Sequence, residues 1–142
     1  MQKITIHTDG GARQNPGPAG IGVVIENESG EVIKEISEYI GSQTNNYAEY
    51  EALIAGLEWI KNTYDTDAKE TTVVVFMDSE LVVCQCEGRY KIKEPTLKEQ
   101  FARVAKLIPA FSMVTFTHVR REHNAHADKL VNAAVDAHLK RA

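Results

Sequence analysis

Asp9, Glu49, Asp78 and Asp128 are the residues of this 142-residue sequence best suited to chemistry, because local patterning sets each beside apolar core. A carboxylate in such a place is unfavourable unless something positive meets it. Each also has a plainer role available. Asp9 and Asp78 could form turns after strands, and Glu49 could complete an Asn46-x-x-Glu49 capping box. Four like charges gathered at one sheet edge would nevertheless raise one another's pKa and destabilise the fold. Hard divalent cations resolve that conflict, since they take oxygen ligands and neutralise the cluster.

The elements that must carry these acids are legible as periodicities. Ile4-Thr5-Ile6-His7-Thr8 alternates apolar and polar side chains, which predicts a strand over 2–8 ending at Asp9, before Gly10-Gly11. A helix over 47–64 stacks Leu53, Leu57, Ile60 and Tyr64 on one stripe, with Glu49 one turn before Leu53 and aimed at the sheet. The run TTVVVFM at 71–77 is continuous, as in strands covered on both faces, and Asp78 follows it. A helix over 124–140 buries Val131, Val135 and Leu139, and Asp128 stands three residues before Val131. Strands over 21–27, 31–40 and 112–119 and helices over 80–87 and 96–108 complete the order. The 96–108 helix starts at a Thr96-Leu97-Lys98-Glu99 capping box after Pro95. The short link Asn27-Glu28-Ser29-Gly30 makes the first three strands a meander. A right-handed crossover through the 47–64 helix then sets strand 71–77 parallel to strand 2–8, with Asp9 and Asp78 as neighbours.

With 43% hydrophobic residues, positions 1–142 fit a single domain with a sizeable core. Sixteen Lys and Arg against twenty Asp and Glu leave a net charge of −4, the wrong sign for holding nucleic acid by bulk charge. Binding must then rest on local contacts and metal ions. Cys84 and Cys86 sit two apart in an apolar stretch and read as small buried side chains rather than a disulfide. No apolar run is long enough to span a bilayer and no signal-like N-terminus is present, so the expectation is a cytoplasmic protein with no membrane partner.

The segments Thr8-Asp9-Gly10-Gly11, Asn15-Pro16-Gly17-Pro18-Ala19-Gly20, Thr44-Asn45-Asn46-Tyr47-Ala48-Glu49, Asp78-Ser79 and Asn124-Ala125-His126-Ala127-Asp128 resemble, in order and spacing, the signature of type 1 ribonuclease H. The resemblance covers nearly the whole chain. It implies an α/β, ribonuclease H-like fold, a mixed five-stranded sheet with helices on both faces. It further implies an endoribonuclease that hydrolyses the RNA strand of RNA/DNA hybrids. On this pattern Asp9 bridges two Mg²⁺ ions, Glu49 and Asp78 bind one and Asp128 the other, with Mn²⁺ as a substitute. Such ions, ~3.5–4 Å apart, activate water and neutralise the phosphate.

Substrate contacts are expected from the loop Gly10 to Gly20, with four glycines and two prolines, whose backbone at Gly10 and Gly11 can approach sugar and phosphate closely. The resemblance adds Asn15, Asn45, Asn46, Ser79 and Asn124, whose polar groups suit the wide minor groove and its 2′-hydroxyls. Asn46 also reads as a helix cap and Ser79 as a cap for the next helix. Several departures stand out. Residues 87–95 bridge directly to the next helix where better-known relatives carry a basic protrusion, leaving Arg89, Lys91 and Lys93 around Tyr90 as either a small phosphate-binding patch or an ordinary solvated loop. Glu80 stands where many relatives have Gln. Arg120-Arg121-Glu122-His123 shortens the loop before Asn124, so His123 is the only candidate auxiliary histidine there, with His126 turned away and His118 packed in a strand. The expected assembly is a monomeric, independent enzyme, with cleavage of RNA duplexes, as in some relatives lacking the protrusion, left open. The rivals are a non-catalytic hybrid- or duplex-binding module of the same fold and the ribonuclease domain of a reverse transcriptase.

Overall fold

The computed structural model describes residues 2–141. Five strands, β1 (Gln2–Ala12), β2 (Gly17–Glu26), β3 (Val32–Gln43), β4 (Thr71–Met77) and β5 (Met113–His118), form one sheet in the order β3-β2-β1-β4-β5. The helices are α1 (Asn45–Tyr64), α2 (Glu80–Cys86), α3 (Pro95–Leu107) and α4 (Ala125–Arg141). β1, β2 and β3 are the antiparallel meander read from the sequence, and β4 pairs parallel with both β1 and β5.

Two glycines fix how the helices sit. In the β1–β2 register Asp9 lies opposite Gly22, and Gly10 lies opposite Ile21. A Cβ on Gly10 would stand 2.2 Å from the Ala48 carbonyl carbon of α1, and one on Gly22 would stand 2.1 Å from the Ala127 carbonyl oxygen of α4. Adjacent residues of a strand face opposite sides of the sheet, so α1 and α4 cover opposite faces. Each helix is drawn to backbone contact where the sheet lacks a side chain.

On the α1 face, Ile4, Ile6, Val23 and Ile25 meet Leu53, Ile54, Leu57 and Ile60, none more than 1% exposed. Truncating one such side chain to Ala typically costs ~2–5 kcal/mol. The α4 face is thinner. Ala127, Val131, Ala134 and Val135 are buried, and α4 packs on β1, β2 and β3. On β4, Val73, Val75 and Met77 are therefore fully buried while Thr72, Val74 and Phe76 are half-buried, a more one-sided strand than its apolar run predicted.

Several boundaries differ from expectation. β1 does not end at Thr8, because its pairing with β2 continues to Ala12 opposite Ala19. Thr44 caps α1, its Oγ1 accepting from the Tyr47 N–H at 3.2 Å, so no Asn46–Glu49 capping box forms. Glu94 caps α3, with Pro95 in the first turn, displacing the Thr96–Glu99 capping box. Leu139 is 43% exposed; the inward position on the last turn belongs to His138, whose ring stacks on Tyr39 at 3.7 Å. His118 is exposed rather than packed. Cys84 is buried, Cys86 is half-buried, and both are free thiols.

Candidate metal and nucleic-acid site

The site exists because β1 is longer than β4. Their last parallel pair is Thr8 with Met77, whereas β1 runs on to Ala12. Beyond Met77 the β4-facing edge of β1 has no neighbouring strand, and alternate residues there present backbone groups with no ladder partner. Three side chains from distant segments fill that gap. Asn124 Nδ2 donates to the Thr8 carbonyl at 2.9 Å, the Gly10 N–H donates to Glu49 Oε1, and the Ala12 N–H donates to Asn45 Oδ1 at 2.8 Å. Glu49 is thus placed by the contact of α1 with Gly10, and it finishes the sheet edge as it enters the site.

Asp9 projects from the same stretch of β1, and Asp78 follows the end of β4. Ligand oxygens of Asp9, Glu49 and Asp78 all lie within 4.8 Å of one another. Asp9 is 7% exposed and Glu49 is 5% exposed. Burial, then the Asp78 charge, pushes the Asp9 carboxyl from 3.8 to about 8. Burial, followed by the charges of Asp9 and Asp78, holds the Glu49 carboxyl well above its ordinary range, while the Gly10 N–H pulls it back. Asp78 is raised by burial and drawn down by Arg121. Asp128 stands on α4 outside the tight trio but on the wall of the same cleft, and Asn132 Nδ2 donates to its Oδ2 at 3.4 Å. An all-carboxylate donor set of this kind, short of positive charge, fits hard divalent ions such as Mg²⁺ or Mn²⁺.

The cleft has a volume of about 370 Å³ and brings the four acids together with Gly10, Gly11, Asn45, Asn46 and Ser79. Ser79 also caps α2, its Oγ accepting from the Val82 N–H at 3.3 Å. Asn15 lies outside this cleft, with Asn46 in an adjoining groove, and its Oδ1 accepts from the Asn45 N–H at 3.0 Å. Asn124, expected to touch substrate, is 1% exposed and holds the Thr8 carbonyl, so its place is inside the protein. Lys91 and Lys93 are exposed on the stretch joining α2 to α3 and do not line the cleft. His123 lines a separate pocket of about 90 Å³ with His7, Glu26 and His126. His126 pairs with Glu35, directed away from the acids.

Arg13, Arg121 and Asn132 line the cleft and were not singled out as site residues from the sequence. Asn132 could have been found, since it lies one helical turn beyond Asp128. Arg13 sits on the β1–β2 connection and Arg121 opens a four-residue 3-10 turn, both too short or irregular for spacing to carry a direction.

A family model described as "Reverse transcriptase-like" matches residues 7–134. The bifunctional protein Rv2228c of Mycobacterium tuberculosis is 42% identical over 95% of this chain, which spans only 36% of that relative. A ribonuclease H of Desulforamulus reducens is 32% identical over 94% of this chain and 88% of its own length. The structure of LC11-RNase H1 in complex with an RNA/DNA hybrid superposes with a TM-score of 0.91 at 53% identity, covering 96% of this chain and 99% of that one. By family match, sequence identity and superposed fold alike, the chain belongs to the type 1 ribonuclease H family.

Proposed function

We propose that this chain is a metal-dependent endoribonuclease that hydrolyses the RNA strand of RNA/DNA hybrids by a two-metal-ion mechanism, with RNA duplexes as a further substrate to be tested. The observation that carries this reading is the convergence of Asp9, Glu49 and Asp78 oxygens within 4.8 Å, with Asp128 on the wall of the same cleft. A binding module has no need of such a cluster, whose mutual repulsion opposes folding. The family membership and the hybrid bound to LC11-RNase H1 support the choice of substrate.

In this reading Asp9 would serve both ions, Glu49 and Asp78 would hold one with it, and Asp128 the other. Held there, divalent ions would supply an activated water and neutralise charge on the scissile phosphate. The chain's own groups prepare the ligands. The Gly10 N–H favours ionised Glu49 and leaves its second oxygen available, and Arg121 favours ionised Asp78. Asn132 orients Asp128 from the next turn of α4. Asn45 and Asn46 line the cleft at the start of α1, and in this reading their amides meet minor-groove edges and 2′-hydroxyls.

The test is incubation of labelled RNA/DNA hybrid, RNA duplex and single-stranded RNA with the protein in Mg²⁺, Mn²⁺ or EDTA. Cleavage of the RNA strand of the hybrid, abolished by EDTA and absent on single-stranded RNA, is expected, and the duplex arm decides whether that substrate is cut as well. Hybrid binding without metal-dependent cleavage would point instead to the binding module.

A further inference from the structure

Arg13 is the cleft's second arginine, and it has a partner that competes with substrate. Its Nη1 lies 2.6 Å from Asp136 Oδ1, and its Nη2 donates to Asn132 Oδ1 at 3.3 Å. Both charged side chains of the pair are well exposed, 40% for Arg13 and 56% for Asp136. An ion pair so placed is weak and readily exchanged. Asn132 and Asp136 stand one turn apart on α4 and continue the row begun by Asp128, so the guanidinium rests on the helix that carries an acid of the site. Among the described residues lining the cleft, Arg121 and Arg13 supply the positive charge, and Arg121 is set against Asp78. Arg121 acts on an acid of the trio itself, whereas the partners of Arg13 lie on α4, so Arg13 is the cation that can turn to a phosphate without disturbing the trio.

Resting on the hybrid-cleaving reading above, we propose that Arg13 binds a backbone phosphate of the nucleic acid and that Asp136 is a built-in rival for its guanidinium, setting substrate affinity. When Arg13 leaves Asp136 for a phosphate, one anionic partner replaces another and the freed carboxylate takes up a cation from solution. The contact then contributes almost nothing to the salt dependence of binding. An arginine without that rival would contribute about one unit to the slope of log K against log salt.

Steady-state cleavage of a labelled RNA/DNA hybrid in Mg²⁺ across a NaCl series tests this with Asp136→Asn, Arg13→Ala and the double variant. Asp136→Asn is expected to lower KM by about two- to fivefold, the span of an exposed ion pair, with kcat changed less than its KM. It should also steepen the slope of log(kcat/KM) against log salt by about one. Arg13→Ala is expected to raise KM, leave the slope near that of the unmodified protein and erase the effect of Asp136→Asn. A higher KM in Asp136→Asn together with a lower melting temperature would overturn the proposal, showing the pair to be a structural staple. An unchanged KM and slope in Asp136→Asn would overturn it equally. Failure of the unmodified protein to cleave the hybrid would overturn the nuclease reading itself, and the proposal with it.

Discussion

Asp9 is held where its neutral form is favoured, which makes the metal-free protein sensitive to pH. Its folded pKa of about 8 exceeds the ordinary 3.8, so the folded state binds the proton more tightly than the unfolded chain. The stability linked to that proton is complete below about pH 4 and is lost as pH rises towards 8. Thermal denaturation in EDTA should show a midpoint falling across this window, with Asp9→Asn flattening the fall and raising the midpoint at neutral pH. A midpoint that rises steadily from pH 5 to 8 would contradict the buried-acid reading. His123 sits outside the acid cleft, which supports a minor role. His123→Ala should keep kcat within about tenfold of the unmodified protein, below the roughly 10²- to 10⁴-fold contribution of a working general acid–base group, whereas Asp128→Ala should lose far more. The four acids were legible because each interrupts an apolar pattern at a strand end or on a helix stripe. Arg13 and Arg121 were not, since a charged residue outside a long periodic element looks the same whether it faces a cleft or solvent. Asn124 matched a motif, yet only the overhang of β1 beyond β4 shows that its amide is committed to the Thr8 carbonyl.

At the scale of elements, close approach of helix to sheet decides where the acids arrive. Gly22 admits the backbone of α4, and a methyl group there would meet the Ala127 oxygen at 2.1 Å. Gly22→Ala must push α4 outward and move Asp128 with it. An overpacking cost of ~1–3 kcal/mol is expected, seen in urea denaturation, with kcat falling although no acid has changed. Unaltered stability and kcat would show that α4 does not depend on that contact. The order of elements and the parallel β1–β4 pairing could be read in advance, because apolar spacing and crossover handedness are local or general rules. The length of β1 could not. Gly10 and Gly11 look like a turn in sequence, and only the β2 partner reveals a strand that continues while β4 stops.

For the whole molecule, a net charge of −4 means that affinity for nucleic acid depends on a few local cations. α2 passes to α3 through residues 87–94, where Lys91 and Lys93 are exposed away from the cleft. If those lysines meet phosphates of a longer hybrid, replacing both with Ala should lower the slope of log K against log salt by about one unit per lost contact. An unchanged slope would make the stretch ordinary solvated surface. The metal site is the claim on which the rest depends. It is tested most directly by following hybrid cleavage and melting temperature together, with and without Mg²⁺, in the unmodified protein and in Asp9→Asn. The unmodified protein should gain stability from Mg²⁺ and cleave, while Asp9→Asn should be the more stable of the two without metal, gain little from it and cleave almost nothing. Substantial turnover by Asp9→Asn in excess Mg²⁺ would contradict the assignment of Asp9 as the shared metal ligand.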